Sequence, residues 1–398
     1  MINDYENAEK SRSMFTEVYS QKRGTCITVV LLGIIIGIFA FAYITFGNDT
    51  IADSLRSNHT LKLVSIIIEH GQTAPKFTYP NDPHLNDSRW QSSLGELTKR
   101  GKQNMHSLGK FFRERYSALL PDLYFSSDIR VLSTNADTCL MSVAVALAGL
   151  YPPHKFQVWN PHVLWQPIPI KGISEEVDKM IGITQSCPSL PKKKKQIENI
   201  VTSGDVNLPK LYDFLSENTG AEIRNLSSVL ALYNLILVQD KTNLPLPDWI
   251  PLVYPEKMLP YTIKALKLET GDAEITKLTT GVLLEKIISD MMKKSTRELS
   301  TKMFLYSGHE QSLFNIYSVL NGGKGRESSI KPEFASSVMI ELHSVEDQNI
   351  VQAYYLNKPG KTPHSINITE CGDPCLLENF IKFTKPFIPQ DWTKACSM

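Results

Sequence analysis

Apolar and polar positions divide the chain into stretches of different character. The first landmark is an almost unbroken apolar run from Cys26 to Phe46, about the 20 residues that cross a bilayer as a helix. A cleaved signal peptide would place a shorter apolar region close to the first residue, with small residues at a cleavage site. Here a polar segment of more than twenty residues precedes the run, so residues 25–46 read as a transmembrane signal-anchor. Lys22 and Arg23 border it on the N-terminal side and Asp49 and Asp53 follow it. That asymmetry predicts a cytoplasmic tail over 1–24 and a type II single-pass orientation, with the rest lumenal or extracellular at the plasma or an endolysosomal membrane.

Residues 47–60 are polar and read as a stalk, and residues 61–398 carry the pattern of a large α/β ectodomain. The β-branched run Leu61–Ile68 ends at Glu69-His70-Gly71. It predicts a buried parallel strand whose C-terminal end opens into a loop, the end at which open α/β sheets bind ligands. Leu94-Gly95-Glu96-Leu97-Thr98 leads into a helix through about Arg115, with Met105, Leu108, Phe111 and Phe112 spaced to bury one face. A strand over Ile129–Ser133 and an apolar helix over Cys139–Leu147, ended by Gly149 and Pro152, form a second unit. From about 153 to 275 proline-rich turns and helices replace strands, which predicts an inserted α-rich cap. The α/β pattern resumes with a helix over Gly281–Lys294 and the strand Lys302–Ser307, which delivers Gly308-His309-Glu310 to a loop. A helix from about Ser312 to Leu320 follows, then two antiparallel strands, Val338–His343 and Ile350–Leu356.

At 398 residues the chain exceeds one small core, and its 42% apolar and 21% charged residues with a net charge of +1 exclude nothing globular. No basic surface pattern calls for nucleic acid. The run Lys192–Lys195 after Pro191 reads as a solvated loop, because it has neither interleaved aromatics nor helical spacing. Glycan acceptor triplets start at Asn48, Asn58, Asn86, Asn225 and Asn367, all beyond the span. Five cysteines also lie beyond it, Cys139, Cys187, Cys371, Cys375 and Cys396. In an oxidising compartment an odd number predicts two bridges and one leftover thiol, without saying which.

The candidate chemistry sits where two strands, far apart in sequence, each end in a histidine beside an acid: Glu69-His70 and His309-Glu310. Such a pair can serve a nucleophilic imidazole with a carboxylic acid opposite, although either histidine alone reads equally as a structural residue. The four side chains are also of types that Zn²⁺ accepts, but no metal or other cofactor is assigned.

Several segments together resemble the histidine acid phosphatase family, over roughly residues 61–398. His70-Gly71 followed by Pro75 matches Arg-His-Gly-x-Arg-x-Pro; Gly95–Gly101 resembles Gly-x-Leu-Thr-x-x-Gly; Ser133-Thr134 with Leu140-Met141-Ser142 resembles the next block. Trp165-Gln166-Pro167-Ile168-Pro169, His309-Glu310 for His-Asp, and Pro389-Gln390-Asp391-Trp392 with Cys396 complete it. The resemblance implies a histidine-phosphatase, phosphoglycerate-mutase-like mixed sheet flanked by helices. It also implies bridges Cys187–Cys396 and Cys371–Cys375, a missing third bridge at Val238 and Ser337, Cys139 as an inert leftover thiol, and a homodimer.

By the same resemblance His70 stands at the nucleophile position that forms a phosphohistidine, with His309 and the acid Glu310 opposite. The arginines that would hold phosphate are replaced by Glu69, Thr73 and Leu132. Phosphoryl transfer depends mainly on positioning and on positive charge around the oxygens, and each lost donor of this kind costs about 3 kcal/mol in the transition state. Arg130, two positions before Leu132 on the same strand face, lies about 6–7 Å too far along to replace it. The leading expectation is therefore an inactive or severely impaired phosphatase serving as a binding or regulatory module. The alternatives are a phosphate monoesterase working through His70 and Glu310, or the silent subunit of a dimer with an active relative.

Overall fold

Strand β1 (Leu61–Glu69) is the spine of the molecule. Leu63, Val64, Ile66, Ile67 and Ile68 are completely buried, and each such side chain contributes about 1.5–3 kcal/mol on leaving water. The structure, a computed structural model, describes residues 60–75, 77–85, 94–182, 186–322 and 330–397. The tail, the apolar run 26–46 and the acceptors Asn48, Asn58 and Asn86 lie outside the described residues. Among the described residues no helix is long and apolar enough to cross a membrane.

Seven strands of the described residues form one mixed sheet in the order β3-β2-β4-β1-β5-β6-β7. Here β2 is Ile129–Thr134, β3 Lys171–Ile173, β4 Met303–Gly308, β5 Ser337–Val345, β6 Gln348–Leu356 and β7 His364–Ser365. β1 runs parallel to β4, with Ile68 opposite Ser307, and antiparallel to β5, with Ile68 opposite Ser337. The end of β1, the end of β4 and the start of β5 therefore meet at one edge.

Helix α1 (Lys99–Arg115) starts where the Thr98 hydroxyl accepts the Gly101 N–H at 3.0 Å, a side-chain N-cap. It packs against α2 (Asp137–Leu150), which rests on β2 and β4. Gly149 does not end α2, as its sequence position suggested. A Cβ there would stand 2.2 Å from the His106 carbonyl, so the glycine lets the two helices touch. The helix stops at Leu150, just before Pro152.

The cap begins later than expected. β3 joins the main sheet beside β2, so the segment from 153 to Ile173 belongs to the α/β body. The helices of the cap are α3 (Leu190–Val201), α4 (Leu208–Thr219), α5 (Leu226–Lys241) and α6 (Leu259–Lys267), followed by α7 (Ala273–Thr279). The lysine run is corrected too: Lys192–Lys195 lies in α3, which Pro191 opens in its first turn. Its fixed φ suits that position, and Lys194 reaches Glu269 at 2.8 Å.

α8 (Gly281–Ser295), α9 (Glu310–Leu320) and α10 (Leu377–Thr384) share one core with alternate residues of β1, Leu63 and Ile67. The short α11 (Trp392–Ser397) returns the chain to the cap, where Cys396 joins Cys187; Cys371 joins Cys375. Cys139 lies in neither bridge and is buried.

Candidate active site

The loop after β1 is fixed mainly through its backbone. Glu69 N–H donates to the Ser336 carbonyl at 3.0 Å, His70 N–H to the Gly308 carbonyl at 3.2 Å, and Ala335 N–H to the His70 carbonyl at 3.1 Å. Gly71 N–H donates to the Ser142 hydroxyl at 3.0 Å. A Cβ on Gly101 would lie 2.1 Å from the Gln72 carbonyl, so the glycine of the helix motif exists to seat this loop.

His70 is 8% exposed. Its Nδ1 lies 2.9 Å from the Gly71 carbonyl, which can only accept, so Nδ1 carries the proton and the lone pair of the neutral ring is on Nε2. The His309 ring stands edge-on at 5.4 Å between centroids, and Phe334 lies at 5.9 Å. His309 precedes α9 as its N-cap. Cys139 Sγ lies 3.8 Å from His309 Nδ1 and 3.3 Å from the Gly308 carbonyl. The leftover thiol thus abuts the site rather than lying idle on its helix.

Three groups set the electrostatics. Glu69 is 4% exposed, and among the described residues its carboxyl accepts one hydrogen bond, from the Ser336 hydroxyl at 3.3 Å. Burial pushes its pKa well above the usual carboxylate range, with Glu310 and Glu333 adding to the rise while Lys331 and Ser336 oppose it. Glu310 is held on both oxygens: Lys331 donates to Oε1, and Asn234 donates to Oε2 at 3.0 Å. The Lys331 side chain is 9% exposed and lies 5.3 Å from the Tyr233 ring centroid.

Around these groups is a cavity of about 350 Å³, lined also by Thr73, His309, Phe334 and apolar residues of α5. A second cavity of about 830 Å³ adjoins it and shares Leu237, Lys331 and Pro332. Sequence reasoning missed Lys331 and Asn234. One rule would have found the first: a strand antiparallel to β1 must start where β1 ends, so the residues leading into β5 face the site.

The structure brings Glu69, His70, Thr73, His309 and Glu310 to one cavity. Leu132 is not among them. It pairs with Tyr306 on β4 and packs against the core shared with α8, so its assignment to phosphate binding is corrected. The element that reaches His309 is instead the first turn of α2, Asp137-Thr138-Cys139, which carries no cation. Arg130 turns outward and donates to the Ser126 carbonyl. Among the described residues no group of three or more His, Cys, Asp or Glu is placed to hold a metal ion. Asn225 and Asn367 are exposed; Asn225 caps α5 through its side-chain oxygen, which accepts the Ser228 N–H at 2.8 Å.

Comparison with known proteins agrees with this geometry. The model of the histidine phosphatase superfamily (branch 2) matches residues 21–234. The chain is 28% identical to lysosomal acid phosphatase of Bos taurus over 85% of this chain and 81% of that protein. It is 30% identical to lysosomal acid phosphatase of Xenopus laevis over 86% and 80%, and 29% identical to prostatic acid phosphatase of Rattus norvegicus over 84% and 89%. In fold it is similar to the Hafnia alvei phytase solved with tartrate, with a TM-score of 0.63 at 15% identity, over 85% of this chain and 98% of that one. The family model covers more than half of the chain and the relatives align over most of it: the chain belongs to the histidine acid phosphatase family, within branch 2 of the histidine phosphatase superfamily.

Proposed function

We propose that this protein is an acid-phosphatase fold that no longer turns over phosphate esters and acts as a binding module. The observation that carries the reading is the nearly inaccessible Glu69 carboxyl beside His70. Ionised, it opposes a phosphate oxygen at about 4 Å by about 4 kcal/mol per unit charge. Protonated, it offers one neutral donor where a guanidinium would give a charge and several donors. Lys331, the cation that lines the cavity, is engaged by Glu310, which also occupies the acid that a leaving group needs.

One observation favours the alternative of residual phosphate monoesterase activity: His70 holds the tautomer a nucleophile requires. Turnover of an aryl phosphate by the full-length chain across acidic pH separates the two readings. The comparison is with a variant carrying Glu69→Arg, Thr73→Arg and Thr138→Arg, the last because Thr138 lies in the first turn of α2 next to Cys139, which reaches His309. Wild-type turnover at least a hundredfold below the variant supports the reading; turnover within tenfold of it, abolished by His70→Ala, overturns it.

The setting proposed is type II membrane anchoring through residues 25–46, with a glycosylated ectodomain on the lumenal or extracellular side, in keeping with lysosomal and prostatic relatives. Protease protection of the N-terminal tail in sealed vesicles tests it. A second copy, or an active relative, would cover the exposed Phe156, Trp159 and Leu164 in the segment that leads to edge strand β3. A monomer mass by light scattering, without a co-purifying relative, removes that part.

A further inference from the structure

We infer that the cavity beside His70 takes a small primary amine with an apolar body, held as an ammonium by Glu69. The inference rests on the reading that the pocket no longer handles phosphate, and it names what the pocket handles instead. Among the described residues two carboxylic side chains, Glu69 and Glu310, line the cavity with one ammonium, that of Lys331, and Lys331 is bound to Glu310. Among the described residues Glu69 has the Ser336 hydroxyl for a partner and no cation within ion-pair distance. A charged donor from outside would supply the missing partner. A second acceptor waits in the same wall: Asn234 uses its Nδ2 on Glu310, while its buried Oδ1 has no hydrogen-bond partner among the described residues. Buried polar atoms of native proteins rarely stay unpaired, so this oxygen also calls for an N–H from a ligand.

The remaining lining selects the body of the ligand. Phe77, Leu230, Ala231, Leu235, Leu266 and Phe334 surround the polar end. At about 350 Å³ the cavity is at the small end of the ~300–1,000 Å³ range of ligand pockets, which suits an arylalkylamine and excludes a bulky amphiphile. An ammonium near the Phe334 face also gains from the ring quadrupole. The replacement that removes phosphate binding, an acid for a base at 69, therefore inverts the charge the pocket prefers.

Binding has a proton signature. In the empty cavity the Glu69 carboxyl is protonated below its raised pKa, and the ammonium requires the carboxylate, so complex formation releases that proton to solvent. The groups that face Glu69 or share its cavity are His70, His309, Glu310, Lys331, Ser336, Glu333 and Tyr355. Lys331 and Glu310 remain paired and cancel, and Glu69→Gln separates the Glu69 proton from any carried by the two imidazoles.

The test is calorimetric titration of the full-length chain with phenethylamine, phenethyl alcohol and phenyl phosphate, in two buffers of different ionisation heat, from acidic to mildly alkaline pH, because burial lifts the Glu69 carboxyl above the ordinary carboxylate range. The expected result is amine binding at least tenfold tighter than the alcohol. About one proton should be released per amine at the acid end, with affinity rising toward tenfold per pH unit below the raised pKa. Glu69→Gln abolishes the proton release and the preference; Glu69→Asp keeps the release with weaker binding, which separates loss of the carboxyl from loss of the fold. Equal affinity for alcohol and amine, or no amine binding, overturns the inference and leaves the inactive-pocket reading intact. Phenyl phosphate bound tightest, or hydrolysed, overturns both.

Discussion

Two buried glutamates stand along β1, and the two live in opposite chemistry. Toward its start, opposite Val64, Glu341 of β5 is 1% exposed. It accepts from Arg115 Nε and Nη2 at 3.1 and 2.9 Å, from the Tyr116 hydroxyl at 2.8 Å and from His343 Nε2 at 3.2 Å. His343 Nδ1 in turn meets the Thr60 hydroxyl at 2.9 Å. Burial works against the Glu341 charge, yet the His343 hydrogen bond, Arg115 and Tyr116 outweigh it and hold the carboxyl below its ordinary pKa. At the C-terminal end Glu69 has one hydroxyl and a cavity, and its pKa rises. A glutamate whose oxygens are saturated by the protein is part of the frame. One left short beside a void is where the fold keeps a place for something else.

The largest effect expected follows from breaking the saturated end. Glu341→Ala leaves the Arg115 guanidinium buried with its acceptor gone and should cost about 3–5 kcal/mol in denaturant unfolding. Next comes Lys331→Met, which releases Glu310 and should cost about 2 kcal/mol; it also removes a charge that lowers the Glu69 pKa, so the Glu69 titration, followed by its carboxyl carbon resonance, should move further up. The smallest effect is Glu69→Gln, a gain on the order of 1 kcal/mol at neutral pH from removing a poorly partnered carboxyl.

Thermal melts against pH should separate the two glutamates by sign. The raised Glu69 means the folded state holds the extra proton between the unfolded and folded values, so its contribution falls as pH rises; the gain from Glu69→Gln therefore shrinks toward acid. The depressed Glu341 contributes above the unfolded value and loses that contribution as pH falls through the folded one, so the cost of Glu341→Gln also shrinks toward acid, from the opposite direction. Profiles of one sign for both variants would erase the contrast.

Much of this was legible in the sequence because it depends on local pattern. The β-branched run of β1 had to be buried, and His70 and His309 had to stand at strand ends once their runs were read as neighbours. The resemblance singled out Gly95–Gly101, and the structure supplied a reason at Gly101, whose missing side chain lets the loop after β1 sit against α1. What was not legible depends on which face a side chain takes. Leu132 precedes Ser133-Thr134 as a pocket residue would, but the strand leaves it half-buried against the core shared with α8. Lys331 has no motif at all; its place follows only from the antiparallel pairing of β5 with β1. The lysines of α3 misled because a charge run hides helical periodicity, whereas Pro191 ahead of it was the better signal.

The most direct test of the central claim is whether His70 accepts a phosphoryl group. The full-length chain would be mixed with a radiolabelled aryl phosphate at acidic pH, quenched in alkali, and scored for acid-labile label against His70→Ala. The account predicts label no higher than in His70→Ala, and a clear rise in the variant with arginine at 69, 73 and 138. Stoichiometric label on wild-type His70 would contradict it.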